Sequence, residues 1–190
     1  MHPYVILIRG VNVGGKNLLP MADLRTCLES QGYSQVSTYI ASGNILLRSD
    51  QPASAVKTHL EGLLPQKFAL DDAFIKVLVL TPVQLQAVVN GKPQGFGEQP
   101  ETYHSDVIFL MGLDADQTMA VFNPREGVDQ IWPGDGVIYS QRLSAMRTKS
   151  RLNKIMSAPA YKSMTIRTWN TVKKLLEMVN SAQANPGAVK

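Results

Sequence analysis

Two successive βαββαβ patterns, with one further helix behind them, predict an α+β protein built from two tandem antiparallel sheets. Three observations carry that prediction. Tyr4–Arg9 (YVILIR) and Asp106–Met111 (DVIFLM) are nearly unbroken apolar runs, of the kind that fill central strands buried on both faces. Each is followed by a helical stretch, two strands about a tight turn, another helical stretch and a last strand. Between the two patterns lies NGKPQGFGEQPET, the richest Gly/Pro segment of the chain.

Taken in order, Tyr4–Arg9 is the first strand, and a Gly/Asn loop follows it. Pro20 suits a first helical turn, Met21, Leu24 and Leu28 share one stripe, and Gly32 ends the helix. Gln35–Ala41 and Ile45–Arg48 read as strands joined at Ser42-Gly43-Asn44. A helix over Ala53–Leu64 and a strand over Phe74–Leu80 complete the first pattern, and Thr81-Pro82 starts a short helix through Val89. The second pattern comprises the Asp106–Met111 strand, a helix capped by Asp114 and reaching Phe122, strands at Val128–Trp132 and Val137–Gln141, a helix over Ser150–Ser157, and a strand at Met164–Thr168. The extra helix spans Trp169–Asn180, with Val172, Leu175, Leu176 and Val179 facing inward. With right-handed crossovers, each pattern closes as a ferredoxin-like unit. The expected division is 1–90 for the first unit with its connecting helix, 91–103 for a linker, and 104–190 for the second unit.

Composition narrows the setting. An apolar share of 44% is enough for a core. No run of about 18 apolar residues is present to span a membrane. The opening MHPYVILIRG lacks a basic leader region, and Cys27 is the single cysteine, so a cytoplasmic protein is expected. The net charge of +4 conceals an asymmetry: residues 141–190 carry ten Lys/Arg against one acid, Glu177, leaving nine basic and fourteen acidic residues before them. A basic segment of this kind attracts phosphates or nucleic acid, or simply forms a solvated surface that pairs with the acidic part.

The segment Gly10-Val11-Asn12-Val13-Gly14-Gly15-Lys16-Asn17 matches the phosphate-cradling pattern G-x-x-x-x-G-K up to its last position. Asn17 stands where a Ser/Thr hydroxyl would hold magnesium. Pro20 would fall in the first turns of the helix that such a loop must open, and the antiparallel topology differs from that of P-loop proteins. A nucleotide-hydrolysing P-loop is therefore not expected. What remains is a glycine loop whose amides can turn towards an anion, with Arg9 and Lys16 beside it. The topology brings Arg9, Asn12, Lys16 and Asn17 near Ser42 and Asn44 on one rim. The plainer alternative is that Asn12 and Asn44 serve positive-φ turns and cap neighbouring backbone.

The block from Arg9 to Leu47, RGVNVGGKNLLPMADLRTCLESQGYSQVSTYIASGNILL, resembles the opening of the Domain of Unknown Function 1697 family, with its L-L-R-G-I-N-V-G-G-K-N, P-M-x-x-L and S-G-N motifs. Thr165–Val172 resembles the family's T-x-R-N-W-N-T-V, with Thr168 in place of the usual Asn, and Ser150-Arg151-Leu152 resembles its Ser-Lys-Leu. The resemblance spans nearly the whole chain. It implies the tandem ferredoxin-like fold and brings no reaction or ligand.

Other residues carry weaker signals. His2, His59 and His104 belong to no ligand-spaced motif, so no metal is expected, and no cofactor fingerprint, zincin or nucleophile elbow occurs. Cys27 reads as a small apolar residue of the first helix. Trp169 reads as core, while Arg167 to Thr171, Asn170 included, is dense enough in polar groups to allow a recognition role. Asp71 and Asp72 lie on the same expected rim as the glycine loop, where an acid/base role is open to them. The strand centres Val5, Ile6, Leu7, Ile45, Leu46 and Leu47 are aliphatic, which makes base stacking on the sheet a poor mode of binding and leaves loops and the basic helices. The favoured expectation is binding of a phosphate-bearing ligand, nucleotide or nucleic acid, through Arg9, Asn12, Lys16, Asn17, Ser42 and Asn44, with Arg167 and Asn170 as further candidates. A small-molecule enzyme on the same rim and an assembly module are the alternatives. The sequence leaves the oligomeric state open.

Overall fold

The computed structural model describes residues 1–71 and 75–184. They form two compact units: residues 1–86 with the chain from Lys174 onward, and residues 87–173.

In the first unit, β1 (His2–Arg9), α1 (Met21–Ser30), β2 (Ser34–Tyr39), β3 (Asn44–Ser49), α2 (Ala53–Lys67) and β4 (Lys76–Leu80) succeed one another. The antiparallel sheet has the order β2-β3-β1-β4, which is the order of a ferredoxin-like unit. Alternation along β1 sends Tyr4, Ile6 and Ile8 into a core with Leu24 and Leu28 of α1 and Val56 and Leu60 of α2. Val5 and Leu7, pointing the other way, are fully buried as well, as a continuous apolar run requires. α2 continues past the expected end at Leu64, through Pro65 to Lys67. A proline so near the C-terminus costs only one backbone hydrogen bond. The predicted strand start at Phe74, like Asp72, lies outside the described residues.

The second unit repeats the sheet, ordered β6-β7-β5-β8. Its strands are β5 (Tyr103–Leu110), β6 (Asp129–Gly134), β7 (Val137–Leu143) and β8 (Met164–Thr168). Its helices are weaker than the sequence suggests. α4, numbered after the connecting helix α3 (Pro82–Asn90), covers only Ala115–Met119 and stops before Phe122. The expected helix at Ser150–Ser157 is instead part of three 3₁₀ segments, at Ser144–Lys149, Leu152–Ser157 and Pro159–Ser163. Ser150 Oγ accepts the Leu152 N–H at 3.2 Å, and Pro159 bars continuation, so local bonds displace an α-helix here. Leu152 and Ile155 still reach the core formed with Ile108, Leu110, Ile138 and Met164.

The Gly/Pro segment expected as a linker packs on the other face of this second sheet. Phe96, 0% exposed, sits edge-on to Trp132, Tyr139 and Trp169, with ring centroids at 6.1, 5.1 and 5.3 Å. Tyr139 Oη donates to the Val88 carbonyl at 2.6 Å and ties down the end of α3. α5 (Trp169–Ala184) gives its first turn to the second unit and the rest to the first, with Val172, Leu175, Leu176 and Val179 buried as predicted. Among the described residues, no helix is long and apolar enough to cross a membrane.

Candidate functional site

β1 ends at Arg9, and the glycine loop folds back on itself as a narrow hairpin. The Asn12 N–H donates to the Asn17 carbonyl and the Lys16 N–H to the Val13 carbonyl, each at 3.0 Å. Asn12 and Asn17 hold the left-handed region, at φ 53° and 49°, which asparagine tolerates better than most residues. Their side chains then stitch the base of the loop. Asn12 Nδ2 donates to the Leu19 carbonyl at 3.0 Å and the Ala41 carbonyl at 2.6 Å, while its Oδ1 accepts the Leu19 N–H at 2.8 Å. Asn17 Nδ2 donates to the Gly10 carbonyl at 2.8 Å, and its Oδ1 accepts the Asp71 N–H at 2.9 Å.

The β2–β3 turn closes the same rim. The Ile8 N–H donates to the Gly43 carbonyl at 2.8 Å. Gly43 has φ +74°, and a Cβ there would lie 2.8 Å from Val11 Cγ2, so only glycine fits. Buried Asn44 donates through Nδ2 to the Tyr39 carbonyl at 3.1 Å and to Ser42 Oγ at 2.8 Å. The structure thus brings Asn12, Asn17, Ser42 and Asn44 together, and the three asparagines act on backbone and on one another's neighbours as a frame. The tip from Val13 to Lys16 is exposed. Among the described residues, the amides of Gly14 and Gly15 meet no acceptor, and a Cβ on either would touch nothing within 4 Å. Arg9, half-buried at the root, is the register partner of Lys76.

Arg167 and Asn170 belong to the second unit. Arg167 is buried on β8, where Nη1 donates to Thr165 Oγ1 at 2.9 Å and the Ile166 carbonyl at 2.8 Å. Burial pulls its guanidinium down to about 10, which leaves it charged at neutral pH. Thr168 caps α5: its Oγ1 accepts the Thr171 N–H at 3.3 Å and pairs with Thr171 Oγ1 at 2.9 Å. Threonine in this place therefore does the capping that an asparagine would do. Asn170, in the first turn, is exposed.

Asn170 also lines a notch. β8 pairs with β5 only over Asp106–Leu110 and then turns into α5, so among the described residues Tyr103, His104 and Ser105 have no strand partner on that side. A cavity of about 170 Å³ results, with Gly97 and Trp169 completing its walls. His104 Nε2 lies 3.1 Å from Asp106 Oδ1, and Arg142 Nη1 lies 3.5 Å from Asp106 Oδ2. Burial pushes the Asp106 carboxyl above its ordinary range, against the opposing pull of His104, Arg142 and Arg147. Arg142 is the register partner of both His104 and Asp129. Asp129 Oδ2 accepts the N–H groups of Arg125 and Arg151 at 2.9 and 2.8 Å, whereas Asp129 Oδ1 and Arg142 Nε are buried without a partner among the described residues.

The sequence reading did not assemble this charged row. His104 and Asp106 are two apart on a strand, a spacing that puts them on one face and was available as a signal. Their joining to Arg142 depends on strand register, which was not. The other candidates are accounted for locally. His59 Nδ1 shares a 2.8 Å hydrogen bond with Tyr33 Oη, and Cys27 packs half-buried beside the first core. Among the described residues, no three His, Cys, Asp or Glu side chains converge as metal ligands.

Residues 1–139 match the model of the family described as protein of unknown function, DUF1697. The fold is similar to that of the conserved bacterial protein SP0830 from Streptococcus pneumoniae, with a TM-score of 0.79 and 28% identity over 93% of this chain and 98% of that one. No curated protein matches the sequence. On the match across most of its length, this chain belongs to the DUF1697 family.

Proposed function

We propose that the rim formed by Gly10–Asn17 binds a phosphate-bearing ligand, a nucleotide or a nucleic-acid strand. The observation that carries this reading is the division of labour within the loop. Asn12 and Asn17 fix its base, so the tip offers two uncommitted glycine amides and the Lys16 ammonium in a preset conformation. Preorganised amides beside a cation favour an oxyanion, and little ordering entropy is lost on binding. A cytoplasmic setting fits the single free cysteine.

Titration of ATP and of a short single-stranded RNA over a salt series tests the proposal. Affinity should be highest at low salt, and Lys16→Ala should weaken it. For RNA, the substitution should also lower the salt slope by about one. Absence of binding at low salt to either ligand refutes the reading. One observation favours an assembly module instead: Val13 and Leu18 are each 67% exposed and Ile40 is 53% exposed around this same rim. A monomer at all concentrations in sedimentation argues against that alternative.

A further inference from the structure

The notch in the second unit has features that the rim lacks. We propose that it is a separate binding site for a small, neutral, hydroxyl-bearing molecule, with His104 accepting the hydrogen bond of a ligand hydroxyl. Above its raised titration range Asp106 is a carboxylate 3.1 Å from His104 Nε2, so in the neutral ring that nitrogen donates and Nδ1 keeps its lone pair. Among the described residues Nδ1 has no partner. The carboxylate is itself held from behind by Arg142, so the imidazole is aimed rather than free to rotate.

The walls are equally fixed. The Gly97 N–H and Ser105 Oγ both donate to Gln141 Oε1, at 3.0 and 2.8 Å, which commits the serine hydroxyl elsewhere. Gly97 has φ +70°, and a Cβ there would lie 2.5 Å from Trp169 Nε1, so the indole and the loop are in contact and the notch cannot collapse further. The exposed Asn170 amide supplies two N–H donors and a carbonyl acceptor at the mouth. The volume of about 170 Å³ leaves room for a pentose-sized ring. Among the described residues that line the notch there is no Lys, Arg, Asp or Glu to select an ion. The lining favours a neutral polar ligand, and a lone imidazole acceptor favours one that donates a hydroxyl.

Acylation by diethyl pyrocarbonate, read residue by residue by mass spectrometry, tests the proposal on the intact chain, because the reagent attacks an imidazole lone pair. His2 and His59 are internal references, the first exposed and the second engaged with Tyr33. His104 should react several-fold faster than His2, although its side chain is only 43% exposed. D-ribose should slow the reaction at His104 and leave His2 unchanged. Asp106→Asn should bring His104 down to the rate of His2. Equal rates at His104 and His2 in the native chain, or ribose protection that is absent or equal at both, overturns the proposal. If Asp106→Asn fails to fold, the ribose comparison on the native chain decides alone.

Discussion

Asn12 joins three stretches of chain through one side chain: the loop it belongs to, Leu19 before α1, and Ala41 in the β2–β3 turn. Asn12→Ala removes three hydrogen bonds and places alanine at positive φ, so a loss of about 2–3 kcal/mol is expected in urea denaturation. Lys16→Ala, at the exposed tip, should change stability by less than about 0.5 kcal/mol. A loss of ligand affinity at Lys16 without a loss of stability would separate recognition from framework. Asp106 offers a test by pH. Its carboxyl titrates above the ordinary 3.8, so the folded state holds a proton that the unfolded chain has released. The stability this supplies is full below 3.8 and is lost as pH rises through the folded value. Urea midpoints of the native chain relative to Asp106→Asn should therefore fall as pH rises above 3.8 and through the raised folded value. At this scale the sequence was half legible. The positive-φ role of Asn12 and the nearness of Asn44 follow from turn chemistry and topology, but the contact of Asn17 with Asp71 and the Arg142 connection need coordinates.

Among the elements, the runs YVILIR and DVIFLM announced their strands because burial on both faces leaves an unmistakable composition. The segment around Phe96 did not, because one aromatic residue among glycines and prolines carries no periodicity. Yet Phe96 is the hub of three aromatic contacts on the second sheet. Phe96→Ala should cost about 3–5 kcal/mol and shift Trp emission in thermal or urea unfolding. A change under about 1 kcal/mol would mean that the segment is a tether after all. The 3₁₀ segments were missed for a related reason: Leu152 and Ile155 are three apart, a spacing that either kind of helix satisfies.

For the whole molecule, the repeated strand order was visible as a repeated pattern, while the charge asymmetry counts cations without saying which are exposed. Of the ten cations after residue 140, Arg142 is nearly buried on Asp106, Arg167 is buried, and Lys174 pairs with Glu177 at 2.8 Å. The basic surface available to a polyanion is smaller than the composition suggests. The division of α5 between units was not legible at all, because helical periodicity does not say which sheet a helix serves. A chain ending at Lys173 loses Leu175, Leu176 and Val179, all buried, at roughly 1.5–3 kcal/mol each. Against a total of about 5–15 kcal/mol, the first unit should then unfold at ordinary temperature, as loss of dispersed amide signals from β1 to β4 would report.

The same helix has a consequence for synthesis. The unit that leaves the ribosome first lacks its closing piece until residues 87–173 have been made. At about 5–20 residues per second the delay is on the order of ten seconds, during which the first sheet stands without α5. The N-terminal sheet, with its apolar strands already exposed, is thus the part of the nascent chain that most needs a chaperone's cover.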